Sequence, residues 1–424
     1  MERTIKRLSA VTCVVALIVG CAALTACDSG STGDASAVAA TPEAKKSPAA
    51  ENSPKVKTSW PIFRGDTMAT GVSKDQLPDK LSLVWKYEVD GGSFEATAAI
   101  VNGIAYIGDL DGTVFALNLK DGSEKWKTNF SEQKWTFEEG KPISEMDDTE
   151  LSGFMASPTV QDGLLYIGDI FGRFFCLDAT TGKPIWGYEA TAEIDGSANF
   201  YKGNVLFGSQ DATLYCLNAK SGKLIWKHEI EDQIRCSPTI VGDRTFVAGC
   251  DSRLHIIDLE KGKLVDSVSI DAPTMVTPAV LGDNVFFGTE GGALFCVNWK
   301  HAKTEWTFAD ESRGQSIRSC PAVTESHVIF GGRSKRVYAV DPSDGKEIWT
   351  FTAKGGVDSS PVIVGDRVFV GSSDGRVYGL NLMDGSKAWE YEAGGGFIGS
   401  PAVAEGKLVI ASDRGVVYCF GEAK

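Results

Sequence analysis

The chain has 424 residues, 43% hydrophobic and 23% charged, with a formal net charge of −14. So large an acidic surplus argues against nucleic acid as a partner, and beyond the N-terminal segment no run is apolar enough to span a bilayer. After residue 27 the chain carries seven cysteines, an odd number that excludes a complete disulfide framework.

Taken in order, Met1 to Arg7 is basic, an apolar stretch begins at Leu8, and Leu24-Thr25-Ala26-Cys27 follows. A basic segment, a short apolar run and small residues before a cysteine make a secretory signal over residues 1–26, with lipid attached at Cys27. Cys21 is a second candidate. Residues 27–58 are Ala, Ser, Pro, Thr, Glu and Lys without periodicity, a composition that cannot bury enough apolar area to order itself. As a flexible tether they would reach about 30 Å. Residues 59–80 open with Trp60-Pro61-Ile62-Phe63, two aromatics expected to cover one face of the domain that follows.

That domain, residues 81–424, is one pattern repeated. Its clearest copy, Ser359 to Trp389, holds three β-branched and aromatic runs broken by Gly365-Asp366, Asp374-Gly375 and Asp384-Gly385, with a Trp in a fourth run. Such a pattern predicts a four-stranded antiparallel sheet. A small residue ends the second strand of each copy, at Gly108, Gly168, Gly208, Ala248, Gly288, Gly331, Gly371 and Ala411. Eighteen residues later come Trp126, Trp186, Trp226, Asp266, Trp306, Trp349 and Trp389. The eighth copy lacks a fourth strand, and Leu83-Val84-Trp85-Lys86-Tyr87 ahead of the first copy supplies one. The sequence therefore predicts an all-β, eight-bladed propeller of four-stranded antiparallel blades, monomeric and closed by an N-terminal strand, which leaves no open sheet edge.

The first and second copies are spaced 60 residues apart rather than 40. The extra residues, 131–150, are rich in Glu and Asp and include Trp135 and Phe137. They are either a solvated acidic loop or, because aromatics exposed in such a loop mark contact surfaces, a partner-binding loop.

Six copies begin their innermost strand with Pro and two have Ala98 or Ala198 in its place, and the residue three positions earlier is Glu95, Met155, Asp195, Arg235, Met275, Arg318, Asp358 or Ile398. All eight are expected to point at the ring axis. The five charged ones, Glu95, Asp195, Arg235, Arg318 and Asp358, either neutralise one another or form a polar funnel for a peptide or small ligand. Cys176, Cys216, Cys296 and Cys419 share one repeat position that is otherwise small and apolar, which makes them core residues. Cys236 and Cys250 could face each other across the fourth copy's hairpin. The four histidines fall in different copies without metal-ligand spacing, and no nucleophile, phosphate-loop or dinucleotide motif occurs. No catalytic residue, metal or cofactor is expected on these grounds.

Asp178-Ala179-Thr180-Thr181-Gly182-Lys183-Pro184-Ile185-Trp186 and Asn218-Ala219-Lys220-Ser221-Gly222-Lys223-Leu224-Ile225-Trp226 resemble the pyrroloquinoline quinone (PQQ)-like repeat of quinoprotein-type propellers. The resemblance implies that Trp85, Trp126, Trp186, Trp226, Trp306, Trp349 and Trp389 interlock each blade with the next, leaving the blade with Asp266 least secure. Two branches share the repeat. Quinoprotein dehydrogenases hold the quinone and calcium in the funnel, often beside a vicinal Cys-Cys pair that this chain lacks. The BamB-like branch consists of lipid-anchored scaffolds that bind proteins and perform no chemistry. Signal, lipid site, tether and length resemble the second branch. It implies envelope proteins as partners, a lipid anchor, and a propeller outside the cytoplasm. A PQQ-dependent dehydrogenase and a funnel-binding ligand sensor are the alternatives. Asp28, next to Cys27, is a residue that some bacteria associate with inner-membrane retention, so either membrane fits.

Overall fold

The structure, a computed structural model, describes residues 58–131, 134–137, 144–146, 151–310 and 314–423. The proposed lipid site Cys27, the signal and the tether lie outside these residues.

Eight four-stranded antiparallel sheets follow one another along the chain. Blade three is representative, with strands Asn199–Tyr201, Asn204–Ser209, Thr213–Asn218 and Leu224–Glu229 in that order from the axis outwards. Its third strand, TLYCLN, is buried at five consecutive positions because neighbouring blades cover both faces. Its outermost strand alternates between half-buried and exposed, the mark of a sheet edge with one face on a neighbour.

Blade eight contributes Ala402–Ala404, Lys407–Ala411 and Val416–Gly421, and its outermost strand is Ser82–Glu88 from the other end of the domain. Leu83 faces Phe420 and Trp85 faces Cys419 in that pairing. The ring is closed as the repeat predicts.

In every blade the pairing of third and fourth strands slips by one residue immediately before the Trp position, as between Cys216↔Trp226 and Leu217↔Leu224. The bulge raises the local twist and aims the indole sideways. Each indole Nε1 then donates to a carbonyl of the next blade: Trp85 to Leu119, Trp126 to Ala179, Trp186 to Ala219, Trp226 to Leu259, Trp306 to Pro342, Trp349 to Leu382, and Trp389 to Leu81, at 2.8–3.1 Å. For six of the seven, all but Trp389, the ring face lies over the turn glycine of that blade. At Gly222, which has φ +68°, an added Cβ would stand 2.6 Å from Trp186.

The exception is informative. Asp266 replaces the docking Trp of blade four and is exposed, and the next blade's turn carries Ala302 at φ 46° where the others have Gly. With no indole overhead, a Cβ has room. Trp299 of blade five packs from the opposite side on Phe246 of blade four, ring centres 5.7 Å apart. The junction expected to be least secure is thus covered by an aromatic from its neighbour.

The N-terminal segment does more than cover a face. Ile100 exchanges two backbone hydrogen bonds with Trp60, and the amides of Val160, Ile240, Val280, Val323 and Ile363 donate to carbonyls of Pro61, Thr67, Met68, Thr70 and Gly71. Asn199 Nδ2 donates to Thr67 O, and Ser73 Oγ to Val403 O. Residues 60–73 are therefore a strap inside the ring that bonds the innermost strand of all eight blades in sequence. Val72–Ser73 runs parallel to Val362–Val364. The inner sheet edges, which would otherwise present unpaired N–H groups, are satisfied by one chain segment.

Candidate functional site

Ahead of each inner strand, side chains alternate between the axis and the adjoining blade. The eight axial positions named from the sequence, Glu95 through Ile398, all line one central cavity of about 150 Å³. The structure thus brings together Glu95, Asp195, Arg235, Arg318 and Asp358.

Their pairing is more local than the sequence suggests. Arg235 Nε donates to Asp195 Oδ2 across adjacent blades at 2.9 Å, and Gln210 Nε2 donates to the same oxygen at 2.8 Å. Arg318 instead takes Glu290, with bonds of 2.8 and 3.2 Å, and Asp358 takes Arg333 at 2.8 Å. Glu290 and Arg333 lie in loops that sequence reasoning had not placed at the funnel. Glu95 is the axial carboxyl without a cationic partner among the described residues. Burial, with Asp195 and Asp413 nearby, pushes its carboxyl above the usual range.

A second ring lies two residues further along each blade. Thr97 N–H donates to Ser157 Oγ, Ser157 N–H to Ser197 Oγ, Ser197 N–H to Ser237 Oγ, and Ser237 N–H to Thr277 Oγ1. Thr277 N–H continues to Cys320 Sγ, Cys320 N–H to Ser360 Oγ, Ser360 N–H to Ser400 Oγ, and Ser400 N–H returns to Thr97 Oγ1. The oxygen contacts are 2.8–3.0 Å, and the cycle is complete. All eight side chains line the same cavity. The signal was present as a hydroxyl recurring just before the inner-strand Pro, but singly each Ser or Thr reads as an ordinary turn residue.

Phe63 of the strap is the cavity's aromatic side chain. Beside it Arg64 is 1% exposed and donates through Nη2 to Pro321 O and Pro361 O, while Nε and Nη1 find no acceptor. Burial lowers its pKa to about 10 despite Cys320 and Asp66 nearby.

The insertion between blades one and two corrects an expectation. Lys134–Thr136 and Ser144–Met146 form a two-stranded hairpin, while residues 132–133, 138–143 and 147–150, which hold most of its acidic groups, lie outside the described residues. Trp135 is not an exposed contact residue: it is 6% exposed and packs on Phe130 at 5.4 Å, and Phe137 packs on Phe175 at 5.6 Å. An acidic insertion gives no sign of this covering, because the apolar partners, Phe130 just ahead of it and Phe175 in the next blade, lie outside it. Cys236 and Cys250 are free thiols, so the disulfide considered for blade four is absent.

Among the described residues no group of three His, Cys, Asp or Glu is placed to hold a metal ion. A quinone with calcium does not fit these residues. Calcium takes six to eight oxygens, whereas Asp195 and Asp358 are each bonded to an arginine, and the funnel offers Met155, Met275, Ile398 and Phe63 rather than flat aromatic walls.

Ring, bulge, docking Trp and inner strap define an eight-bladed β-propeller built on the PQQ-like repeat. A family model described as outer membrane protein assembly factor BamB matches residues 132–318 and 303–419, and the chain belongs to that family. The crystal structure of BamB from Moraxella catarrhalis superposes with a TM-score of 0.65 at 19% identity, covering 81% of this chain and all of that one. Quinohemoprotein alcohol dehydrogenase from Comamonas testosteroni superposes at 0.69 with 15% identity, covering 87% of this chain and 81% of that one. At these identities the likeness concerns the fold. In sequence, the same dehydrogenase is 28% identical over 165 residues, 36% of this chain and 22% of its own length. The 1-butanol dehydrogenase (cytochrome c) of Thauera butanivorans is 26% identical over 140 residues, 31% of this chain and 19% of its own length. The matched stretches span about a fifth of these curated relatives.

Proposed function

We propose that the chain is a non-catalytic, lipid-anchored scaffold of the bacterial cell envelope that holds other proteins in outer-membrane protein assembly. The observation that carries this reading is the family match across residues 132–419, joined by a BamB structure covered over its whole length. The N-terminal segment supports the anchor: a basic start, a short apolar run and Cys27 after small residues suit lipid attachment. The partners are envelope proteins met on the propeller surface, not a substrate turned over in the funnel.

The test is affinity capture from detergent-solubilised envelopes with the full lipidated chain, and with a Cys27→Ser form that stays soluble. Specific recovery of outer-membrane assembly proteins by the lipidated chain supports the scaffold. Dye-linked oxidation of alcohols or sugars after loading with PQQ and Ca²⁺ would overturn it in favour of the dehydrogenase reading, which the curated relatives raise.

A further inference from the structure

The axial lining sets three acids, Glu95, Asp195 and Asp358, against two arginines, Arg235 and Arg318. Arg235 is taken up by Asp195, and the loop residues Arg333 on Asp358 and Glu290 on Arg318 cancel one another. One negative charge is left on the axis. It falls on Glu95, whose carboxylate has neither a cation nor a hydrogen-bond donor among the described residues.

Asp195 carries a second uncompensated oxygen. Its side chain is 9% exposed and lines the same cavity. Oδ2 accepts from Arg235 and Gln210, while Oδ1 is buried without a donor. Protein encloses that oxygen, so its charge acts across the cavity with little screening by solvent. Burial raises the Glu95 carboxyl above its ordinary range, and Asp195 and Asp413 add their repulsion, which a cation beside Glu95 relieves. Arg64, the other cation nearby, does not line the cavity and has Asp66 beside it.

The surroundings of Glu95 select the kind of cation. One blade to either side its neighbours in the lining are Met155 and Ile398, and a carboxylate flanked by apolar side chains suits a charge carried on a hydrocarbon stem. Two residues further in, Thr97 Oγ1 and Ser157 Oγ have each accepted one N–H and keep a second lone pair for another donor. We propose that the axial cavity binds a primary alkylammonium group, its N–H donors shared between the Glu95 carboxylate and the hydroxyl oxygens of Thr97 and Ser157, its stem against Met155 and Ile398. The cavity of about 150 Å³ admits one such group. A lysine side chain of a bound protein and a free small amine share this chemistry. The site goes beyond the scaffold reading and is tested on the chain alone, so its failure leaves that reading untouched.

Saturation-transfer NMR from the full chain to N-acetyl-lysine amide, and to its neutral isostere N-acetyl-norleucine amide, tests the site. Transfer to the lysine methylenes that excess butylammonium abolishes is expected, with little transfer to norleucine. The Glu95→Gln chain is expected to bind the lysine compound about tenfold more weakly, as loss of a charged hydrogen-bond partner implies. Glu231, an exposed acid outside the lining, is the control: Glu231→Gln should keep the parent's affinity. Tighter binding of a short lysine-containing peptide than of butylammonium identifies a protein lysine as the ligand, and the reverse order a free amine. Equal transfer to the lysine and norleucine compounds, an unchanged affinity in Glu95→Gln, or an equal loss in Glu231→Gln overturns the proposal. Should Glu95→Gln fail to fold, the norleucine comparison on the parent chain decides alone.

Discussion

At the residue scale the molecule is governed by one contact, an indole over a turn glycine. Trp186 over Gly222 serves as its measure, because an added Cβ would meet the ring at 2.6 Å. Trp186→Ala is expected to cost about 3–5 kcal/mol, and Gly222→Ala about 2–4 kcal/mol from overpacking and the positive φ together. In the Trp186→Ala background the glycine change should cost only about 1 kcal/mol, so a denaturant double-mutant cycle shows strong coupling. Additive effects would separate the glycine from the indole. Asp266 with Ala302 is the same experiment already present in the chain. Asp109 gives a second expectation. It is buried, accepts N–H bonds from Asp111 and Thr113, and burial raises its pKa to about 6. The folded state thus holds this proton more tightly than the unfolded chain, so its stabilising contribution is present below about pH 4 and is lost as pH rises through about 6. Asp109→Asn should gain on the order of 1–2 kcal/mol relative to the parent between pH 4.5 and 7.5, read from chemical unfolding at both pH values. A constant difference would remove the linkage.

At the scale of elements, the strap is the feature that sequence reasoning saw least. Trp60 and Phe63 announced a covering segment, but nothing in residues 60–73 states that their carbonyls meet one inner strand after another, because those partners are main-chain amides without a side-chain signature. The docking Trp positions were legible for the opposite reason: a large side chain recurring at a fixed interval can only reflect a recurring contact. The funnel falls between. Its lining followed from the repeat, yet Arg318 and Asp358 found partners 28 and 25 residues away in loops that vary between copies. The insertion's aromatics misled because Phe175, which covers Phe137, belongs to the next blade. The strap makes its own prediction. Amides of Val160, Ile240, Val280, Val323 and Ile363 should exchange slowly with solvent, and a chain beginning at residue 74 should lose protection at these positions first while the third strands keep theirs. Uniform loss across each blade would show instead that the strap is needed for the whole ring.

At the scale of the whole molecule, stability is shared around a circle. Each blade touches its two neighbours, and the circle is completed where Ser82–Glu88 pairs with Val416–Gly421 and Trp389 reaches Leu81. A chain lacking residues 58–88 should retain seven complete sheets but expose the edge of Val416–Gly421. It is expected to unfold over a broader denaturant range, with a lower midpoint, and to self-associate in light scattering. A sharp transition at the parent's midpoint would mean that neighbouring blades suffice without closure.

Ring closure also orders events during the protein's birth. The strand that completes blade eight is among the first parts of the domain to leave the ribosome, and Phe420, its partner, is among the last. Until Val416–Gly421 has been made, that early strand has no sheet to join and the strap has no circle to line. The full circle is thus assembled only after the last blade has been made, so ring closure follows the folding of the blades between its two ends.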